Sequence, residues 1–191
     1  MAKKMVRPYP ALYPAPLVLV SCLDQEGRPN VLTIAWTGVA SDSPPHIAIA
    51  LRPHRYSHAG IQERGEFTVN VPTVDILAAV DACGHTTGAR VDKFERFGLT
   101  PLPASQVKPP LIAECPVNLE CRVSHQLPLG SHNLIVAQVV ALHVDEELLD
   151  EFGRIDSQRA HPIVYVVNEY WCLGHRIETS GFTLRKRPST D

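Results

Sequence analysis

The sequence predicts a mainly β chain of the α+β class, an antiparallel barrel with short peripheral helices. Three observations carry this. Apolar residues recur with period two: in VNLECRV at 117–123, Val117, Leu119, Cys121 and Val123 alternate with Asn118, Glu120 and Arg122, as in a strand with one wet face. Seventeen of the 191 residues are proline, nearly twice the usual share of about 5%, and proline interrupts helices and central strands. Strand-like and helical stretches also fail to alternate as βαβ units, which disfavours a doubly wound parallel sheet.

Taken in order, the strand-like segments are 16–23, 30–39, 46–52, 66–71, 117–123, 133–144 and 163–171, apolar or β-branched runs bounded by Pro, Gly, Asp or Asn. DQEG at 24–27 is a hairpin turn between the first two. EFTVNV at 66–71 sets Phe67, Val69 and Val71 against Glu66, Thr68 and Asn70. Short helices fall between the strands. Ser57 is the expected N-cap for 58–64, with Gly65 as the stop, and Thr73 the expected cap of TVDILAAVDACG, ending at Gly84. VDKFERFG at 91–98 closes on Gly98, and EELLDEFG at 146–153 adds a late turn or two. Residues 100–116, with Pro101, Pro103, Pro109, Pro110 and Pro116, read as a loop.

Length and composition bound the rest. The chain reads as one domain over 1–191, a size that needs no disulfide or metal staple. Eighteen Lys and Arg against twenty Asp and Glu leave a net charge of −2, which argues against non-specific nucleic-acid binding. The basic tail Arg185–Lys186–Arg187 is too short to change that and reads as a frayed terminus. The five cysteines are scattered without CxxC spacing, the expectation for reduced thiols in the cytoplasm. The apolar run Leu17–Val20 is too short for a signal peptide, and no window approaches a membrane span.

Three stretches could carry chemistry. In IAIALRPHRYSHAGI at 47–61 a strand ends at Arg52 and a helix begins near Ser57. A helix start with Arg52, Arg55, Tyr56 and Ser57 suits a phosphate monoester; a capped surface helix with incidental arginines is the other reading. In NVLTIAWTGVASD at 30–42, Thr33, Ala35, Thr37, Gly38 and Ser41 leave backbone open to a flat ligand beside Trp36; an ordinary barrel strand with a buried tryptophan fits equally. DACGHTTGARVDKFE at 81–95 places two glycines around a His/Thr/Thr cluster, with Lys93 directed either into a site or to solvent. His54 and His58 lack the HExxH context of a zinc site, and Cys83 with His85 lacks a second half. GxSxG, GxGxxG and Walker motifs are absent.

Five segments in register resemble the flavin reductase-like, FMN-binding split-barrel family, and its flavoredoxin-like branch above all. They are TIAWTGVASDSPPHIAIALRPHRYSHAGIQERGEFTVNVPT, VDACGHTTGARVDKFERFGLTPLPA, PPLIAECPVNLECRV, LGSHNLIVAQVVALHVDEELLD and EYWCLG, together covering about residues 12–175. The resemblance implies a six-stranded antiparallel split barrel with short helices, a homodimer, and FMN at the barrel edge. It implies that Arg52, Arg55, Tyr56 and Ser57 hold the phosphate, and that Thr33, Ala35, Trp36 and Thr37 lie along the isoalloxazine. Ser41 and Asn70 are implied as second contacts, while Cys83, Gly84 and Lys93 close over the flavin. His132, in LGSHN, is similar to the element near the nicotinamide in NAD(P)H-dependent reductases; Ser131 stands where many of them have Asp.

Flavin chemistry needs no strong acid or base from the protein, which agrees with the lack of a catalytic triad. Three functions stay open at this point. One is an NAD(P)H-dependent flavin reductase-like oxidoreductase. The second is an electron carrier with tightly bound FMN, reduced by a redox protein. The third is a barrel that binds another small ligand.

Overall fold

A computed structural model of the protein describes residues 1–184; the basic triplet Arg185–Lys186–Arg187 lies outside the described residues. The chain opens with β1 (Ala15–Pro16), β2 (Val18–Leu23), β3 (Pro29–Ile34), β4 (Thr37–Ser41) and β5 (His46–Leu51). Helix α1 (Tyr56–Arg64) precedes β6 (Glu66–Val71), and α2 (Leu77–His85) and α3 (Lys93–Phe97) follow it. Then come β7 (Pro101–Leu102), β8 (Leu111–Ile112) and the long pair β9 (Val117–Pro128) and β10 (Asn133–Val144). The described chain closes with the hairpin β11 (Ile163–Val166) and β12 (Glu169–Cys172).

Seven strands form one antiparallel sheet in the order β3-β2-β6-β9-β10-β5-β4. Its two edges, β3 and β4, are consecutive in the chain and separated only by Ala35 and Trp36, so the sheet must curl until they meet. That dipeptide is the seam of a barrel. The run expected as one strand over 30–39 therefore divides there, and the main sheet has seven strands where six were expected. Trp36 stays tied to the neighbouring strand, its carbonyl accepting from the Ala50 amide at 2.8 Å. The segment 163–171 likewise becomes a hairpin, turning at Val167 and Asn168 with φ of 45° and 68°. Prolines 29, 44, 45, 53, 72 and 116 fall at strand ends, where the missing N–H costs no ladder bond.

Alternation fills two cores. Val18, Val20, Cys22, Ile49, Phe67, Val69, Cys121 and Ile135 point into the barrel. Leu17, Leu19 and Val31 point outward and pack beneath Val80, Cys83 and Phe94 of α2 and α3. Strand β2 is thus buried on both faces, which explains its nearly continuous apolar sequence.

The wet face expected on β6 and β9 is covered instead. Thr68, Asn70, Asn118 and Glu120 are all buried, because the proline-rich segment 100–116 is not a plain loop. It forms the β7–β8 pair and packs over them. Glu120 accepts from the Ser105 amide and hydroxyl, the Gln106 and Val107 amides, and His143 Nε2. Burial alone would raise its pKa, yet these donors overcome burial and hold it down at about 2.

Helix ends also differ from expectation. Ser57 is not the N-cap of α1: Arg55 occupies that position without a side-chain cap, and Ser57 lies inside the helix, buried. Thr73 precedes a single 3-10 turn, Val74–Ile76, and α2 runs through Gly84 to His85. Residues 146–148 make one 3-10 turn. Gly65 and Gly98 end α1 and α3 in the left-handed conformation as expected. Among the described residues no helix is long and apolar enough to cross a membrane.

Candidate functional site

At the barrel seam, β3, the end of β5, the turn before β10, α1, α2 and the β11–β12 hairpin enclose a cleft of about 440 Å³, within the range of small-ligand sites. Its lining holds Arg52, Arg55 and Lys93 and no carboxylate. Among charged side chains, the lining offers only positive ones.

One end is the start of α1. Arg55 lies in extended backbone at the cap position, and the first helical closure is the His58 amide on the Arg55 carbonyl at 2.9 Å. The Tyr56 and Ser57 amides precede that closure, leaving backbone donors at the positive end of the helix. Ser57 is drawn inward: its Oγ accepts from Asn30 Nδ2 at 2.6 Å. The Tyr56 hydroxyl is committed elsewhere, donating to Asp24 Oδ2 at 2.8 Å while Arg28 Nη2 approaches at 3.1 Å. Tyr56 therefore offers its ring and amide to the cleft rather than its hydroxyl.

The floor is β3 with the loop after α2. Thr33 Oγ1 donates to the Val80 carbonyl, and a Cβ on Gly84 would stand 3.3 Å from that of Thr33. Gly88 is tighter. A Cβ there would stand 2.2 Å from Asn30 Oδ1 and 2.9 Å from the Tyr56 ring, so only glycine lets this loop lie flush against the strand and helix. Lys93 is buried, donating to the Val31 and Cys83 carbonyls, each at 2.8 Å. Burial pulls its pKa down to about 8, with Arg55 pushing the same way and the Cys83 and Cys22 thiols opposing. Burial raises both of those thiols to about 11. They are protonated at neutral pH and offer no thiolate nucleophile.

The far wall carries Trp36 and His132, ring centroids 4.4 Å apart and tilted by 38°. Arg52 Nε donates to His132 Nε2 at 3.4 Å, which leaves the proton on Nδ1, 2.9 Å from Ser131 Oγ. Burial, Arg52 and His54 together lower the His132 pKa. Opposite stand Tyr165 and Tyr170, the latter donating to Asp81 Oδ1 at 2.6 Å and so fastening the terminal hairpin to α2.

The structure thus gathers Thr33, Ala35, Trp36, Arg52, Arg55, Tyr56, Ser57, Cys83, Gly84, Lys93 and His132 around one cleft. Thr37, Ser41 and Asn70 are not among the lining residues. Thr37 begins β4 beyond the seam and donates to the Ala48 carbonyl at 2.9 Å; Ser41 ends that strand opposite His46. Asn70 is buried beneath segment 100–116, accepting from Ile112 N and Asn118 Nδ2. Sequence reasoning missed Asn30, His54, Tyr165 and Tyr170 as lining residues. Asn30 carried a signal, as a polar residue opening an otherwise apolar strand. The tyrosines carried none, because nothing local reveals that the last hairpin folds back over α2. Among the described residues no cluster of metal-ligating side chains forms.

An antiparallel barrel with a cation-lined cleft at its seam places the chain in a definite class. The chain belongs to the flavin reductase-like domain family, whose model matches residues 11–170. A protein of Archaeoglobus fulgidus is 38% identical over 144 residues, which span 75% of this chain and 79% of that one. Among solved structures, the flavoredoxin of Desulfovibrio vulgaris (Miyazaki F) is 31% identical with a TM-score of 0.90, covering 96% of this chain and all of that one. Flavoredoxin from Methanosarcina acetivorans is 28% identical with a TM-score of 0.86, covering 95% and 97%.

Proposed function

We propose that the protein is an FMN-binding oxidoreductase that takes its electrons from NAD(P)H. The observation that carries the binding reading is the lining of the cleft: three cations, two early helical amides and no carboxylate, beside a strand and loop that only glycine lets meet. In this reading Arg52, Arg55 and the Tyr56 and Ser57 amides hold the phosphate, which the helix start favours electrostatically. The backbone from Thr33 to Trp36 lies along the ring, with Gly84 allowing α2 to close on it. Bound FMN would supply two-electron acceptance at its N5 position and onward transfer of one or two electrons. Lys93, pinned by two carbonyls, supplies a buried positive charge that favours added negative charge in the cleft. His132, its pKa lowered and its ring in tilted contact with Trp36, forms the wall on which a nicotinamide would lie.

The likeness to two flavoredoxins favours a second reading, an electron carrier with tightly bound FMN reduced by a protein donor. Ser131 supports it, standing where many reductases have Asp. The visible spectrum of the purified protein followed by anaerobic addition of NADH and NADPH separates the readings. Bleaching of bound flavin by either nucleotide supports the first; bound flavin inert to both supports the second. A colourless protein that gains no thermal stability from excess FMN refutes both. We further propose a homodimer in the cytoplasm, and light scattering at micromolar concentration tests the dimer.

A further inference from the structure

Two hydrogen bonds tie the turn carrying His132 to the end of the cleft read above as the phosphate site. The outer bond runs from Arg52 Nε to His132 Nε2 at 3.4 Å. The inner one runs from Asn133 Nδ2 to His58 Nε2 at 2.9 Å. His58 is the third residue of α1, next to Ser57, and is buried. An amide nitrogen can only donate, so Nε2 is the acceptor, and burial lowers the ring's pKa in the same sense. Asn133 opens β10, in register with Leu51 of β5 and Pro128 of β9. Beyond it the turn projects from the sheet, closed by the Leu129 amide on the His132 carbonyl at 2.8 Å, with Gly130 at φ 76°.

The two bonds are not equivalent. The outer one is long and exposed, near the limit at which a hydrogen bond holds anything. Its donor is also one of the cations offered to a phosphate, a much stronger acceptor for a guanidinium than an imidazole nitrogen. When an anion occupies that end of the cleft, the outer bond is the one given up. The inner bond is shorter, part-buried, and made by groups that do not line the cleft.

We propose that His58 is a positioning residue: by accepting from Asn133 it holds the turn so that His132 stays stacked on Trp36 after Arg52 turns to a bound phosphate. The role of Arg52 rests on the FMN reading, whereas the His58–Asn133 bond is a property of the free protein. Through this bond the helix that meets the phosphate and the wall that faces the reductant form one rigid unit.

The test uses the full chain without ligand. His132 titration is read by NMR of its ring, and the Trp36–His132 stack by tryptophan emission in a Trp171→Phe background. His58→Gln keeps an acceptor, His58→Leu removes it, and Asn133→Ala removes the donor from a half-buried position should His58→Leu fail to fold. In the parent, His132 is expected to titrate below the ordinary histidine value because of burial, Arg52 and His54. His58→Leu and Asn133→Ala are expected to move it up towards that value and to change Trp36 emission, while His58→Gln leaves both near the parent. Arg52→Ala, which mimics an arginine withdrawn to phosphate, is expected to keep the stack by emission at mildly alkaline pH; Arg52→Ala with His58→Leu is expected to lose it. Unchanged readings in His58→Leu and Asn133→Ala, an equal change in His58→Gln, or loss of the stack in Arg52→Ala alone would each overturn the proposal. Failure of the parent to bind FMN refutes the functional reading and leaves these ligand-free measurements to decide the inference.

Discussion

Replacing Lys93 by methionine should separate affinity for the flavin nucleotide from stability of the fold. The amine is buried and donates to the Val31 and Cys83 carbonyls, and burial brings its pKa from 10.5 to about 8. That displacement corresponds to about 3 kcal/mol held against the charged form. Its sign sets the pH behaviour of the free protein. Below about pH 8 both folded and unfolded chains carry the proton, so stability has no slope from this group; between about 8 and 10.5 the unfolded chain binds more, and stability rises with pH. Lys93→Met removes this cost but leaves two carbonyls without their donor, at about 1–3 kcal/mol each. The two effects largely offset, and the melting temperature should move by only a few degrees.

Affinity behaves differently. An anionic ligand beside Lys93 raises its pKa again, recovering up to about 3 kcal/mol, or roughly a hundredfold in affinity. FMN binding then takes up a proton above about pH 8, so affinity should fall by up to about tenfold per pH unit there. Flavin fluorescence titration from about pH 7 to 9.5 measures this for the parent and for Lys93→Met. The variant should bind more weakly at neutral pH and lose the slope. A flat profile in the parent, or the same slope in the variant, would refute the reasoning.

Other changes test separate parts of the structure. Arg52→Ala should weaken FMN binding about tenfold to a hundredfold through a lost charge-assisted contact, and unchanged affinity by titration would place the phosphate elsewhere. Ser57→Ala orphans the buried Asn30 amide and should lower stability by about 1–3 kcal/mol in denaturant titration. Gly60→Ala puts a Cβ at 2.1 Å from the Leu23 carbonyl oxygen, backbone that cannot swing aside, and should cost about 1–3 kcal/mol or more by thermal unfolding. Glu120, whose folded pKa of about 2 lies below its ordinary 4.5, contributes stability above the ordinary value that is lost as pH falls towards 2. Glu120→Gln should lower stability at neutral pH by about 3 kcal/mol and flatten that acid limb.

Local sequence determined the strands, the stops at Gly65 and Gly98, and the hairpin turn at 24–27, because period-two alternation and turn chemistry act between near neighbours. It also marked the segments that line the cleft, since a helix start flanked by arginines and a loop held between glycines are legible as short patterns. Tertiary structure decided which of those side chains meet a ligand. Tyr56 gives its hydroxyl to Asp24, and Ser57 gives its oxygen to Asn30, 27 residues away. Asn70 and Glu120, polar members of alternating strands, are buried because a distant proline-rich segment covers that face. The division of 30–39 at Ala35–Trp36 follows from barrel closure, which requires the sheet edges to meet at that dipeptide. The tyrosine wall exists only because Tyr170 reaches Asp81, 89 residues earlier. Contacts over such separations depend on how faces pack, and no local pattern of the chain records them.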